Sequence, residues 1–204
     1  MSNKIQIINF ALRLLKQSPI VDIDDQNERA RVANDMYEIS RLTAFSTCDW
    51  HCLRKRATLT QDAEAPAFGF KNRYLLPIDC VRVMGVQDER RGFFIPYLGG
   101  MFPDDMPDYL TYTVESNYLL SNQDECKILY IRNEQDPTKY DAQLVNVLAY
   151  LLALNMAIPL TADNTLTTAL ENKYGYFLKT AKAKNALDAA FPTESTLFVR
   201  KRYF

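Results

Sequence analysis

Residues 144–160 read LVNVLAYLLALNMAIPL and form the most apolar segment of the chain. The segment contains Asn146, Asn155 and Pro159, and it is shorter than the ~20 apolar residues that a membrane-spanning helix needs. Its apolar side chains would fall on several sides of a helix, which indicates burial against several neighbours. We therefore predict a core helix over residues 137–158.

The flanks of this segment supply its boundaries and a second helix. Asp136 is an N-cap residue followed by Pro137, which favours the first position of a helix. Downstream, apolar residues recur every three to four positions until Pro192, which predicts a helix over residues 162–191. The residues on its apolar stripe are Leu166, Leu170, Tyr174, Phe177, Ala181 and Leu187.

Two more helices are predicted near the N-terminus, over residues 4–17 and 25–48. Asp25 and Glu28 are spaced as in a capping box at the start of the second of these helices. That helix carries two adjoining stripes, one formed by Ala30, Ala33 and Tyr37 and the other by Val32, Met36 and Ile39.

Residues 50–135 have a different pattern, in which helical periodicity fades and short β-type runs appear. The runs lie at residues 56–60, 81–86, 93–97, 109–114 and 127–131, and Glu115-Ser116-Asn117 is typical of a hairpin turn. We expect a twisted antiparallel sheet inserted between the second and third helices.

The last segment, TESTLFVRKRYF, occupies residues 193–204 and is rich in apolar and aromatic residues. Such side chains favour burial, so we predict that this tail docks on its own domain or on another chain. The expected fold is α+β: one domain over residues 1–192, built as a bundle of about four helices with an inserted antiparallel β-sheet, followed by an extended C-terminal tail.

Composition excludes several classes of protein. The 204 residues include 24 Lys+Arg and 25 Asp+Glu, giving a formal charge of −1, and 48% are apolar. This balance excludes a disordered chain and a strongly basic nucleic-acid binder. The N-terminal segment lacks the continuous apolar core of a signal peptide, so we expect synthesis in the cytosol and reduced thiols.

The chain offers little to metal or acid–base chemistry. His51 is the only histidine, which excludes metal sites that need two or more histidines from one chain. Cys48 and Cys52 flank it at a spacing unusual for zinc, and we interpret them as structural thiols. We predict no catalytic residue, no metal site and no cofactor.

The order of motifs resembles that of the head-to-tail adaptor proteins of short-tailed bacteriophages, the tail tubular protein A family. INFALRLL lies in the predicted N-terminal helix, an acidic loop follows, and the next predicted helix ends in an aromatic stretch at Trp50. The segment YLLPIDCVRV at residues 74–83 is similar to the family run Y-x-L-P-x-D-C-x-x-V. LYIRN, Asp136-Pro137 and LAYLLALNMAIPLT complete the likeness, whereas His51-Cys52 replaces the aromatic pair usual after the tryptophan.

This resemblance implies a virion protein at the head–tail junction, assembled in the host cytoplasm. Family members form a ring, usually of twelve copies, that joins the portal protein to the tail nozzle protein. Double-stranded DNA passes transiently and without sequence specificity through the channel, and no membrane partner is expected.

The adaptor hypothesis assigns two sets of contact residues. The portal or a neighbouring subunit would bind the tail residues Leu197, Phe198, Val199, Arg200, Lys201, Arg202, Tyr203 and Phe204. The nozzle would face aromatic residues of the β-rich region, namely Phe93, Phe94, Tyr97, Phe102, Tyr109 and Tyr112.

Two alternatives of other classes remain open at this point. One is a tail-associated peptidoglycan hydrolase that uses a pair of carboxylates, although no Glu or Asp is marked by its spacing. The other is a cytosolic regulatory or scaffolding domain unrelated to phages.

Overall fold

The computed structural model describes residues 3–88, 93–96 and 111–189. These residues form two compact units. The helical unit combines Ser2–Ala44 with the chain from Asp141 onward, and the β unit comprises Phe45–Tyr140. The predicted β-rich insertion therefore corresponds to a unit of its own, and the α+β class is confirmed.

The described part of the chain contains four α-helices. They are α1 (Lys4–Leu14), α2 (Glu28–Thr47), α3 (Ala142–Thr161) and α4 (Asn164–Ala189). Within the helical unit α3 packs against both α1 and α4. It also contacts α2, where the Asn155 amide donates a hydrogen bond of 2.9 Å to the Ser40 hydroxyl.

The apolar segment at residues 144–160 lies within α3, and nine residues of this helix are buried. The prediction of a core helix is thus confirmed. By length and composition α3 also resembles a membrane span, and half of its most apolar window is buried within the chain.

Two helices begin later than predicted because other residues cap them. The Asn27 side chain accepts a hydrogen bond of 2.9 Å from the Ala30 N–H, so α2 begins at Glu28. The Asp25 carboxylate instead accepts from backbone N–H groups of the preceding loop. Similarly, Asp136 caps only a short 3-10 turn, and Asp141 caps α3.

The helix ends also differ from the predictions. α1 stops at Leu14 because Lys16 adopts a left-handed conformation with φ 58°. α3 continues through Pro159 to Thr161, where Ala162 adopts φ 48° and its N–H donates to the carbonyls of Ala157 and Ile158. α4 begins at Asn164 and ends at Ala189, inside its predicted bounds.

The described residues of the β unit form two antiparallel four-stranded sheets instead of the single sheet expected. One has the strand order β1-β8-β4-β5 and the other β2-β3-β7-β6. The strands are β1 (Arg54–Thr58), β2 (Thr60–Gln61), β3 (Asn72–Leu75), β4 (Cys80–Asp88), β5 (Phe93–Pro96), β6 (Tyr112–Glu115), β7 (Tyr118–Ser121) and β8 (Lys127–Arg132).

A core shared by the two sheets explains this arrangement. Leu59, the one residue between β1 and β2, is buried where the chain passes from one sheet to the other. The core combines side chains of both sheets, since each sheet must cover one apolar face. Its buried members are Leu59, Tyr74, Val83, Val86, Tyr112, Leu119, Cys126, Ile128 and Tyr130.

Candidate interaction surfaces

The segment that resembles the Y-x-L-P-x-D-C run forms a firmly held turn between β3 and β4. The Leu76 N–H donates to the Asn117 carbonyl at 2.9 Å, and the Cys80 N–H donates to the Pro77 carbonyl at 2.8 Å. The Asp79 carbonyl accepts from the Asn133 N–H at 2.6 Å. Backbone hydrogen bonds thus tie the turn to the β6–β7 hairpin and to the end of β8.

Asp79 also fixes this turn through its side chain. Its carboxylate accepts hydrogen bonds of 2.9 Å from the Lys55 ammonium and from the Tyr130 hydroxyl. Burial alone would raise the pKa of Asp79, but these two hydrogen bonds outweigh it and hold that pKa below its ordinary value. The same hydrogen bond to Asp79 raises the pKa of Lys55.

The outer side of the turn presents apolar side chains to solvent. Ile78 is fully exposed and Leu75 is 52% exposed, whereas Leu76 and Pro77 are half-buried. We call these four residues the turn patch. Leu76, Pro77 and Ile78 line a groove of about 180 Å³, and this volume is below that of a typical small-molecule site. The turn patch is therefore better suited to contact with another protein.

Several charged residues elsewhere in the described part of the β unit are paired within the chain. Arg82 bonds the Asp49 carboxylate. Glu134 is nearly buried and accepts from Arg132 at 2.6 Å and from Lys139 at 3.2 Å. These ion pairs neutralise the surface locally, so the paired side chains add little net charge that could bind a phosphate backbone.

Two of the cysteine thiols, those of Cys80 and Cys126, are held in the protonated form by burial. Burial raises the pKa of Cys80 to about 11 and that of Cys126 to about 12, so both remain protonated near neutral pH. All four cysteines are free thiols. Among the described residues no group of three His, Cys, Asp or Glu side chains is placed to hold a metal ion.

The described carboxylates with a clearly shifted pKa do not suit a general acid. The pKa is lowered in each of Asp62, Asp79, Glu134 and Asp136. A glycosidase needs one carboxylic acid whose pKa is raised, so that it can donate a proton at neutral pH. For Glu134, burial raises the pKa, and hydrogen bonds from the Asp136 N–H and from Lys139 outweigh it.

In the helical unit, α2 has one buried face and one exposed face. The first stripe seen in the sequence (Ala30, Ala33 and Tyr37) is buried. On the opposite side Asp35 is exposed, Ile39 is 61% exposed and Leu42 is 40% exposed. We call Asp35, Ile39 and Leu42 the α2 outer face.

α4 likewise exposes an aromatic side chain between two cations. Leu170 and Ala181 are buried on its inner side, whereas Tyr176 is 64% exposed. Lys173 and Lys179 are exposed three positions before and after Tyr176, which places them one turn away on the same side of the helix. We call Lys173, Tyr176 and Lys179 the α4 outer face.

The structure describes only some of the contact residues predicted from the sequence. The tail residues Leu197 to Phe204 lie outside the described residues, as do Tyr97, Phe102 and Tyr109. Phe93 and Phe94 lie in β5, where they pair with Asp88 and Gln87 of β4.

Tyr112 is fully buried in the core of the β unit, so its side chain does not form part of an exposed surface. The prediction that Tyr112 faces the nozzle is therefore corrected: this residue belongs to the core of the β unit. The alternation of TYTV places Tyr112 on the inner face of β6, and a tyrosine ring there contributes a large buried area.

Sequence reasoning did not identify the turn patch or the two outer faces. For α2 a signal was present, because a surface helix of a bundle usually needs one apolar stripe and this helix carries two. The signal at Tyr176 was weaker, since one exposed tyrosine among lysines resembles an ordinary solvated surface.

Comparison of the sequence with models of known protein families and with curated proteins gives no match.

Proposed function

We propose that this chain is a non-enzymatic structural protein of a virion, the head-to-tail adaptor that joins the portal to the tail nozzle. In this proposal the copies form a ring, with twelve as the expected number, around a channel for the double-stranded genome. The ring is assembled in the host cytoplasm and lies at the head–tail junction.

One observation supports this function most directly: both units expose large apolar side chains. The turn patch does so in the β unit, and Ile39, Leu42 and Tyr176 do so in the helical unit. Surfaces of this kind are typical of protein–protein contacts. A protein in the middle of an assembly needs several such surfaces, one for each neighbour.

The motif with the greatest likeness to the adaptor family also has a clear structural role. Tyr74 is buried, and its hydroxyl donates to the Gln123 carbonyl at 2.5 Å. Pro77 and Asp79 shape and anchor the turn that presents Ile78. A run of residues that builds a rigid, apolar turn fits a contact site better than a catalytic one.

The proposal assigns a different set of binding partners to the helical unit, to the β unit and to the C-terminal tail. The helical unit joins neighbouring copies, and the C-terminal tail binds the portal or an adjacent copy. The nozzle binds the β unit through the turn patch together with Phe93, Phe94, Tyr97, Phe102 and Tyr109. Tyr112 is excluded from this surface because it is buried.

The charge of the chain is compatible with a passage for DNA. The formal net charge is −1, so a ring of copies has little net attraction for the phosphate backbone. Weak attraction favours passage of the genome over retention.

Portal binding by the purified chain tests the proposal. Mixing the protein with the portal protein of the same phage, followed by size-exclusion chromatography with light scattering, should give one complex whose mass corresponds to a portal plus a ring of adaptor copies. Persistent separate peaks at micromolar concentrations would contradict the proposal. A clearing assay on purified cell walls should give no lysis, and lysis would instead favour the hydrolase alternative.

A further inference from the structure

The α2 outer face and the α4 outer face are exposed in the same chain, so neither covers the other. Ile39 is 61% exposed, Leu42 is 40% exposed and Tyr176 is 64% exposed. Both faces belong to the helical unit. Neither face is covered by another described part of the chain.

The two faces have complementary charge. On α2, Glu28, Asp35 and Glu38 are exposed carboxylates, with Arg31 as an exposed cation. On the α4 outer face Lys173 and Lys179 are exposed cations, and the exposed Lys184 lies on the same side of the helix. The net charge is negative on the α2 outer face and positive on the α4 outer face. An α2 face and an α4 face therefore attract each other, whereas two α2 faces or two α4 faces repel each other.

Asp35 is the carboxylate best placed to take part in an intermolecular pair. Glu38 already bonds Arg41 at 2.7 Å within α2. Within the described residues, Asp35, Lys173 and Lys179 form no ion pair. Their charges are thus available to a partner.

The two faces also match in length and in shape. At a rise of about 1.5 Å per residue, Asp35 and Leu42 are about 10 Å apart along α2, and Lys173 and Lys179 are about 9 Å apart along α4. The large ring of Tyr176 at the centre of one face can lie on Ile39 and Leu42 of the other. Alanines at positions 169 and 183 flank Tyr176 on α4 and permit a close approach.

We infer that the α2 outer face of one copy binds the α4 outer face of the next copy, with Tyr176 against Ile39 and Leu42 and the α4 lysines facing Asp35. Used head to tail between successive copies, as the proposed ring requires, this contact is heterologous and generates a closed ring or an open filament. The inference rests on the proposed ring and identifies the faces that would build it.

Substitution of each face alone tests the contact in the full chain. In sedimentation velocity over a range of concentrations, with and without portal, the wild type should assemble. The variant Ile39→Lys with Leu42→Lys and the variant Tyr176→Lys should each remain monomeric at concentrations at least tenfold above those at which the wild type assembles. Val21→Lys, at an apolar site in the same unit that is 87% exposed, is the matched control and should assemble normally.

An equimolar mixture of the two face variants distinguishes the possible kinds of contact. Each variant keeps the face that the other has lost, so a heterologous contact predicts dimers and nothing larger. If Tyr176→Lys alone still dimerises while the α2 variant does not, the contact joins α2 to α2 and the inference is overturned.

Charge exchange tests the same contact without removing an apolar side chain. Asp35→Lys and Lys179→Glu should each weaken assembly by about twofold to fivefold, and the two together should restore it. Glu171→Lys and Lys182→Glu are matched controls, since on a regular helix they lie about 140° and about 120° around α4 from Tyr176. Restoration by Asp35→Lys with Lys182→Glu would contradict the proposed pairing.

These outcomes separate the inference from the proposed function. Portal-bound rings that tolerate both face variants would overturn the inference and leave the adaptor function intact. Rings that form through these faces without binding portal would overturn the function and leave the inference intact. A wild type that stays monomeric at every concentration, with and without portal, would overturn the inference.

Discussion

At the scale of single residues, the anchoring group of the β unit is Asp79. Its carboxylate joins Lys55 of β1 to Tyr130 of β8, and its carbonyl accepts from Asn133. The side chain is 30% exposed, so the two bonds are only partly screened by water. The rigidity of the turn patch depends on this group.

Asp79→Asn should therefore destabilise the chain by about 1–2 kcal/mol at pH 7, because two hydrogen bonds to a charged acceptor are weakened. Asp124→Asn removes a carboxylate that is 88% exposed and paired with Lys71, and it should cost almost nothing. Urea unfolding of the three proteins measures the difference. Equal losses in both variants would show that Asp79 has no special role.

The effect of Asp79 should also depend on pH. Because its pKa is lower in the folded chain than in the unfolded chain, its contribution is complete above the unfolded value of about 3.9. It is lost as the pH falls through the lower folded value. The difference in unfolding free energy between wild type and Asp79→Asn should thus be constant near neutral pH and shrink in strong acid; growth of the difference in acid would reverse the assigned sign.

Truncation of Tyr112 should lower the stability of the chain, whereas truncation of Ile78 should lower its binding to the nozzle. Tyr112→Ala empties part of the β-unit core and should cost about 3–5 kcal/mol of stability. Ile78→Ala removes a fully exposed side chain and should change stability by less than about 0.5 kcal/mol, yet it should weaken nozzle binding. Thermal unfolding with a nozzle-binding assay checks both, and a stable Tyr112→Ala protein would contradict the placement of Tyr112.

At the scale of elements, local patterns in the sequence predicted the helices well and their caps less well. Periodicity located α2 and α4 to within a few residues, because an amphipathic stripe is a local property. The start of α3 was misplaced because Asp136 and Asp141 are both good cap residues, and tertiary packing selects between them.

The division of the strands into two sheets could not be predicted from the same patterns. The sequence pattern did not predict β3, because this strand is defined by its pairing with β7, which lies far along the chain. In that pairing Asn72 of β3 lies opposite Ser121 of β7. Which strands share a sheet depends on such distant pairings. The exposed outer faces were missed for a related reason: a stripe of apolar residues does not reveal whether its partner is in the same chain.

The junction between α3 and α4 offers a test at this scale. Ala162 adopts φ 48°, a conformation that costs a residue with a Cβ roughly 1 kcal/mol. Ala162→Gly should therefore stabilise the chain by about 0.5–1 kcal/mol. Ala169→Gly, inside α4, should destabilise it by about 0.5–1 kcal/mol, and denaturant unfolding that ranks the two variants in the opposite order would contradict the assigned junction.

At the scale of the whole molecule, the features that the proposed function uses are surfaces directed at other chains. Each unit exposes large apolar side chains, while burial keeps the Cys80 and Cys126 thiols protonated and the carboxylates with a shifted pKa are paired or hydrogen-bonded. The near-neutral charge means that, in the proposed ring, local charged patches would organise the contacts between copies.

Removal of residues 193–204 tests the proposed role of the tail. Deletion should reduce portal binding while the helical content, measured by circular dichroism, stays unchanged, because in the proposal the tail supplies anchoring side chains to the portal or to an adjacent copy. A variant with the same tail length but with Leu197, Phe198, Tyr203 and Phe204 changed to serine should behave like the deletion. Unchanged binding by both variants would remove the tail from the proposed portal contact.

Electron microscopy of the purified chain mixed with the portal protein tests the adaptor proposal most directly. Class averages should show an additional ring, coaxial with the portal and attached to one end of it, with about twelve copies of the chain per ring. If the portals show no added density when the chain is present in large excess, the adaptor proposal is contradicted.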